Sequence, residues 1–193
     1  MKKLFDEIPV LEDGELVLKY QTPEGFSDMI MYSDGQVLTG LLFENPDDPR
    51  QRGNANDADL PVFQRTREWL DLYFSGHEPD FLPEYKLCDA TDFRREVSEI
   101  MRRIPYGQVI TYQDIAEEIA AHRGIRRMSA QAVGQAVGWN PICIIIPCHR
   151  VIGKDGSLTG YGGGIENKIR LLTLEGYDRF SLPKKRKKDS RNG

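Results

Sequence analysis

The strongest constraint on this chain is the segment Trp139-Asn140-Pro141-Ile142-Cys143-Ile144-Ile145-Ile146-Pro147-Cys148-His149-Arg150. Five consecutive apolar residues sit between two prolines and end in a thiol, an imidazole and a guanidinium. An uninterrupted apolar run of this length reads as a buried strand, so any compact fold must take Ile142 to Ile146 into its core and hold Cys148 at the edge of that core. A cysteine attacks as thiolate, which requires a base or a positive charge nearby, and His149 and Arg150 supply both types. Neighbours on an extended chain point to opposite faces, so the base would reach the thiol through a bridging water or a turn. On the residues alone, a packing thiol beside a surface histidine is an equally open reading.

The surroundings fit a soluble α/β (α+β) protein of 193 residues, with 39% hydrophobic and 29% charged residues. No apolar run approaches the roughly 18 residues of a membrane span, and Met1-Lys2-Lys3-Leu4-Phe5-Asp6-Glu7 meets acid where a secretory leader needs an apolar stretch. A cytoplasmic protein, nuclear in a eukaryote, without membrane contact is the expectation. Cys88, Cys143 and Cys148 form no CxxC pair, and their odd number argues for free thiols in a reducing compartment. Charge is unevenly spread: residues 1–88 carry 8 basic and 18 acidic side chains, residues 89–183 carry 12 and 11, and residues 184–193 carry 6 and 1. A polyanion would therefore meet the second half, although a solvated neutral domain explains the same numbers.

Alternation marks strands at 15–20, 29–32 and 36–43, with a Ser33-Asp34-Gly35 turn, and a polar loop spans 44–59. Val62, Phe63, Thr66, Trp69, Leu70, Tyr73 and Phe74 recur at helical spacing up to Ser75-Gly76. An extended linker through Pro79 and Pro83 places a domain boundary near residue 88. Thr91-Asp92 caps a helix carrying Phe93, Val97, Ile100, Met101 and Ile104. Thr111 with Asp114 forms a capping box for a second helix. A basic loop with Arg126 and Arg127 leads to Ser129 and a third helix over 130–138, so that helix, loop and helix read as a helix-turn-helix variant. That third helix (Ala130, Gln131, Ala132, Val133, Gly134, Gln135, Ala136, Val137, Gly138) has no charge and nothing larger than Gln. It suits either close packing or close approach to a narrow groove, not major-groove readout. Val151 to Leu158 make a hairpin-like turn, and 159–164 a glycine loop without a nucleotide-phosphate motif. A last helix, with Ile165, Ile169, Leu172 and Leu174 among its apolar positions, ends at Glu175-Gly176. Glu175 is either an exposed terminal glutamate or a carboxylate folded back on His149.

Arg103-Ile104-Pro105-Tyr106-Gly107, Thr111-Tyr112, Ala132-Val133-Gly134, Asn140-Pro141, Ile146 to Val151, Tyr161 to Gly164 and Leu174-Glu175-Gly176 occur in that order. Over residues 92–176 this pattern resembles the O6-alkylguanine-DNA alkyltransferase (methylated-DNA-protein-cysteine methyltransferase) family. The resemblance implies a ribonuclease-H-like N-terminal domain (1–88) and a winged-helix or helix-turn-helix-like catalytic domain (89–178), and leaves residues 179–193 as a basic tail outside the matching pattern. It implies direct reversal of damage in double-stranded DNA by a monomer. The lesion base is flipped out, and the alkyl group of O6-alkylguanine, or O4-alkylthymine, passes once and irreversibly to Cys148 without cofactor or metal. His149 is then the base, Glu175 its orienting carboxylate, Asn140 the residue that holds the active-site turn, and Tyr112 the group that helps protonate the leaving guanine. Ala130, Gln131, Ala132 and Gly134, with Arg126, Arg127 and Arg150, would meet DNA. Tyr161, Gly162, Gly163, Val151 and Trp139 would line the pocket. Gln131 stands where many members have arginine, and Gly162 where some have serine. Residues 1–88 offer only Cys88 and His77 as soft metal ligands. A non-catalytic alkyltransferase-like lesion sensor is the alternative; a cysteine hydrolase and a helix-turn-helix regulator are more distant readings.

Overall fold

The computed structural model describes residues 15–46, 48, 51, 60–158 and 160–180. The expectations for the N-terminal segment, for most of the 44–59 loop and for the basic run at 184–188 lie outside these residues.

Three strands, β1 (Leu16–Tyr20), β2 (Met29–Ser33) and β3 (Leu38–Phe43), form an antiparallel sheet in the order β1-β2-β3. The tight β2–β3 connection is closed by Asp34, whose carboxylate accepts from the backbone N–H of Gln36 and Val37, both at 3.0 Å, while Gly35 adopts φ +97°. Helix α1 (Pro61–Phe74) starts on a proline, whose missing N–H costs nothing in a first turn. It buries Val62, Phe63, Trp69, Leu70 and Tyr73 and stops at Gly76, which takes the left-handed conformation at φ +86°. This is the sheet and covering helix expected of the N-terminal half.

The free edge of β3 is covered by two short segments. Residues 84–86 pair with Leu38, and residues 141–143 pair with Leu41 through Leu41 N–H to Pro141 O and Cys143 N–H to Leu41 O, both 2.8 Å. The second segment brings the thiol-bearing part of the chain onto the N-terminal sheet.

Helix α2 (Asp92–Arg102) is capped by Thr91, and α3 (Tyr112–His122) by a reciprocal Thr111/Asp114 capping box. Helix α4 (Ala130–Trp139) is capped by Ser129 and packs against both. A two-stranded parallel pair, β4 (Ile110–Thr111) with β5 (Val151–Ile152), ties the start of α3 to the residues after the thiol. Helix α5 (Ile165–Leu174) closes the described fold. The expected helix-turn-helix is α3, its loop and α4.

Two expectations are corrected here. The apolar run 142–146 is not an extended strand. It doubles back as a buried turn, with Ile145 N–H on Cys143 O at 2.9 Å, Ile146 N–H on Ile142 O at 3.0 Å and Ile144 at φ +70°. A β-branched residue pays a steric penalty in the left-handed region, and complete burial of the turn offsets it. The flanking Pro141 and Pro147 lack N–H groups for a sheet ladder, and Asn140 supplies the missing partners from its side chain. Cys148 and His149 do not alternate on a strand either. Cys148–Arg150 is one turn of 3₁₀ helix, with Arg150 N–H on Pro147 O at 2.9 Å.

Candidate active site

Asn140 is buried at the end of α4 and organises the thiol turn. Its Oδ1 accepts from Ile142 N–H at 3.1 Å, and its Nδ2 donates to Ile146 O at 2.8 Å and to Cys148 Sγ at 3.0 Å. One amide therefore fixes the turn backbone and places a donor on the sulfur, which favours thiolate over thiol.

The other side of the 3₁₀ turn carries the base. His149 is fully buried, and its Nε2 lies 2.8 Å from Glu175 Oε1. Glu175 stays ionised: burial works against its charge, but the hydrogen bond from His149 and the hydrogen bonds and charge of Arg150 prevail and hold its carboxyl well below the usual carboxylate range. Arg150 grips both oxygens, with Nε on Oε2 and Nη2 on Oε1, both at 2.9 Å. Against a carboxylate, Nε2 must carry the proton, so Nδ1 is the bare, basic nitrogen. Nδ1 is buried and has no hydrogen-bond partner among the described residues. Burial lowers the His149 pKa below its ordinary 6.5, which leaves the ring neutral and ready to accept a proton at neutral pH.

Glu175 is thus not the exposed helix-end residue that its position allows. Tyr73 on α1 donates to Oε1 at 2.6 Å and Gly107 N–H donates to Oε2 at 3.1 Å, so four groups from three parts of the chain converge on one carboxylate. Gly107 sits at φ +71°, and a side chain there would meet the Glu175 carbonyl at 2.8 Å. Arg150 corrects its assignment to the DNA contacts. It is 7% exposed, clamps Glu175, donates to Ile104 O at 2.6 Å and belongs to the buried relay.

One residue escapes sequence reasoning because α5 looks like a simple apolar stripe. Lys168 is fully buried, with Nζ on the Val151 carbonyl at 2.6 Å and 5.9 Å from the Tyr161 ring centre. Burial brings its pKa down to about 8, while the nearby Cys148 sulfur acts to retain its proton. A buried ammonium beside the thiol is a second stabiliser of thiolate. The buried Tyr161 hydroxyl is held well above the usual tyrosine range, by burial first and then by Cys148 and Cys143. Tyr73 is the other omission; its ring counted as apolar, which hid its hydroxyl.

Tyr112 opens α3 and packs across Gly134, where a side chain would lie 3.8 Å from the Tyr112 ring. Gln131, Arg126 and Arg127 are exposed, and Ala130, Ala132 and Gly134 are half-buried along the same helix-turn-helix face. Arg126, Arg127 and Ala130 line an open groove of ≈ 880 Å³ with Gln113 and Ala116. Gly162 is half-buried, Gly163 and Val151 are buried, and Trp139 lies under the Arg94 guanidinium, 4.9 Å from its ring centre, in the α2–α4 packing. Among the described residues no group of three His, Cys, Asp or Glu side chains is arranged to hold a metal ion.

A buried thiol one residue from a buried imidazole–carboxylate pair, mounted beside a helix-turn-helix, defines a class of proteins that set a cysteine at the edge of a helix-turn-helix frame. Residues 92–177 match the family model described as 6-O-methylguanine DNA methyltransferase, DNA binding domain. The chain is similar to the methylated-DNA-protein-cysteine methyltransferase of Haemophilus influenzae, 40% identical over 157 residues, 81% of this chain and 83% of the relative. It is similar also to that of Mycolicibacterium paratuberculosis, 47% identical over 140 residues, 72% and 80% of the two chains. Among solved structures, Mycobacterium tuberculosis OGT in complex with DNA superposes with a TM-score of 0.67 at 38% identity, covering 82% of this chain and 91% of that one. The chain belongs to the methylated-DNA-protein-cysteine methyltransferase family.

Proposed function

We propose that this chain repairs DNA by direct reversal, taking the alkyl group of O6-alkylguanine, and of O4-alkylthymine, onto Cys148 in a single irreversible transfer. The observation that carries the reading is the buried Glu175–His149 pair, which leaves a bare Nδ1 on the residue next to a thiol already hydrogen-bonded by Asn140. His149 Nδ1 takes the Cys148 proton through a bridging water. The sulfur then bonds to the alkyl carbon as the carbon–O6 bond breaks, and the bonding electrons leave on the guanine. Tyr112, at the start of α3, delivers the proton that the guanine gains, which balances the one lost by the thiol. No cofactor enters this balance.

The flipped base would enter beside Tyr161, Gly162 and Val151, while the small-residue face of α4, with Arg126 and Arg127, follows the minor groove. Residues 1–88 act as the supporting domain and 89–178 as the DNA-binding, catalytic one. The protein works as a cytoplasmic monomer.

Intact-protein mass after mixing with an O6-methylguanine duplex tests the reading: one methyl per chain, mapped to Cys148 and lost in Cys148→Ala, is expected. Methyl on Cys143 or Cys88, or repeated turnover, refutes it. Binding without transfer would identify a lesion sensor instead.

A further inference from the structure

The loop that would border the alkyl group is held by the N-terminal sheet through a contact that the proposed chemistry does not use. Asn167, in the first turn of α5, is 4% exposed. Its Nδ2 donates to the Gly163 carbonyl at 2.7 Å and to Ser27 Oγ at 3.1 Å, while Oδ1 accepts from the Ser27 backbone N–H at 3.1 Å. Both amide hydrogens and the carbonyl oxygen of one side chain are committed to joining the β1–β2 connection to the 160–164 loop.

Each end of this bridge is rigid. Ser27 is presented by a connection closed on itself, with Thr22 Oγ1 on Ser27 O at 3.1 Å, Thr22 N–H on Asp28 Oδ1 at 3.2 Å and Phe26 N–H on Pro23 O at 3.2 Å. Gly163 lies flat on β3: a Cβ there would stand 2.6 Å from Phe43 Cδ2 and 2.7 Å from Tyr161 Cε1. The Phe43 ring centre is 6.4 Å from that of Tyr161 and 6.5 Å from that of Phe26 in the same β1–β2 connection. Tyr161 and Gly163 are therefore located by the sheet from two directions, a hydrogen bond to the carbonyl and an aromatic face against the backbone.

We propose that Asn167, acting with Ser27, is a positioning residue that fixes the Tyr161–Gly163 segment and thereby sets the size of O6 substituent that the pocket admits. This rests on the reading of Cys148 as alkyl acceptor. A pocket wall held at its backbone cannot retreat from a bulky group, and loosening it favours the large substituent over the small one.

The test compares Asn167→Asp and Ser27→Ala with the wild-type protein. The aspartate keeps the shape but turns an acceptor on the Gly163 carbonyl. The alanine removes only one bond at an exposed position and protects the test against a folding defect. Second-order transfer rates are measured from O6-methylguanine and O6-benzylguanine in the same duplex sequence. In Asn167→Asp the benzyl-to-methyl rate ratio should rise about fivefold or more, with a smaller rise in Ser27→Ala. Alkylation of Cys148 by iodoacetamide should stay near the wild-type rate. An unchanged ratio, or an equal fall in both rates, overturns the proposal. Hydrogen exchange followed by mass spectrometry gives an arm that needs no activity: residues 160–164 should exchange faster in Asn167→Asp while α3 is unaffected, and unaltered exchange overturns the clasp. Failure of the wild-type protein to accept any alkyl group would refute the proposed function instead, and the exchange arm would still decide the clasp.

Discussion

Replacing Glu175 with glutamine separates what the buried relay does for stability from what it does for reactivity. The carboxylate receives Arg150, His149, Tyr73 and the Gly107 N–H. Glutamine is nearly isosteric, but whichever way its amide turns, one end presents N–H groups to donors. Arg150 keeps its charge in a site where it is 7% exposed. Removing one partner of a buried ion pair typically costs about 3–5 kcal/mol, which urea unfolding would register. His149 meanwhile loses the acceptor that fixes its proton on Nε2, and loss of tautomer control in a nucleophile–imidazole relay costs up to about 10⁴ in rate, or about 5 kcal/mol in the barrier. Methyl transfer from an O6-methylguanine duplex should therefore fall by about 10³ to 10⁴ in protein that is still folded. Adding Arg150→Met removes the stranded cation and should restore much of the stability, though not all, because Ile104 O loses its donor as well. It should restore none of the rate. A folded Glu175→Gln protein within tenfold of the wild-type rate, or a stability loss under about 1 kcal/mol, refutes the relay.

Four further outcomes are expected. Asn140→Ala strands Ile142 N–H in the core and takes one of two donors from Ile146 O, which keeps the Cys148 N–H; it should cost roughly 1–3 kcal/mol by denaturant titration and slow iodoacetamide alkylation of Cys148 at neutral pH. The transfer rate should be bell-shaped in pH, with an acid limb below the ordinary histidine value of 6.5, because burial lowers His149, and an alkaline limb near 8, where Lys168 loses its proton. Lys168→Met should abolish the alkaline limb and leave the acid limb in place, as the rate profile of the variant would show. Gln131→Arg should speed repair of duplex DNA while leaving reaction with free O6-benzylguanine unchanged, since guanidinium fills a vacated stack better than an amide, by about 1–3 kcal/mol on the scale of a stacked base. An equal change on both substrates would show that Gln131 does not limit extrusion.

The helices were legible because their ends carry local chemistry: Thr91, Thr111 with Asp114, and Ser129 cap helices at the expected positions. The thiol and the imidazole were legible because they are adjacent in sequence at the end of an apolar run, whereas Asn140 was legible only through the family resemblance. The run 142–146 was misread because five apolar residues in a row have no periodicity that distinguishes a strand from a buried turn, and what decides between them, the side-chain amide of Asn140, is a tertiary fact. Helix α5 hid its inward face for a related reason. Its buried positions include Asn167 and Lys168, while Ile165 and Ile169 are only half-covered, so counting apolar residues points to the wrong side. Tyr73 lies 76 residues from His149 in the chain, and no local pattern announces a hydroxyl that serves a distant carboxylate.

The pairing of Leu41 with Pro141 and Cys143 has a kinetic meaning as well as a structural one. Partners about a hundred residues apart in sequence must close a long loop before their hydrogen bonds return anything, so this seam belongs to the late, topology-limited part of folding. Glu175, close to the end of the last helix, leaves the ribosome after every other member of the relay. A chain that stops before α5 carries Cys148 but contains neither Lys168 nor Glu175. The groups that polarise Cys148 thus follow it in the chain, and the site as described exists only once α5 has docked.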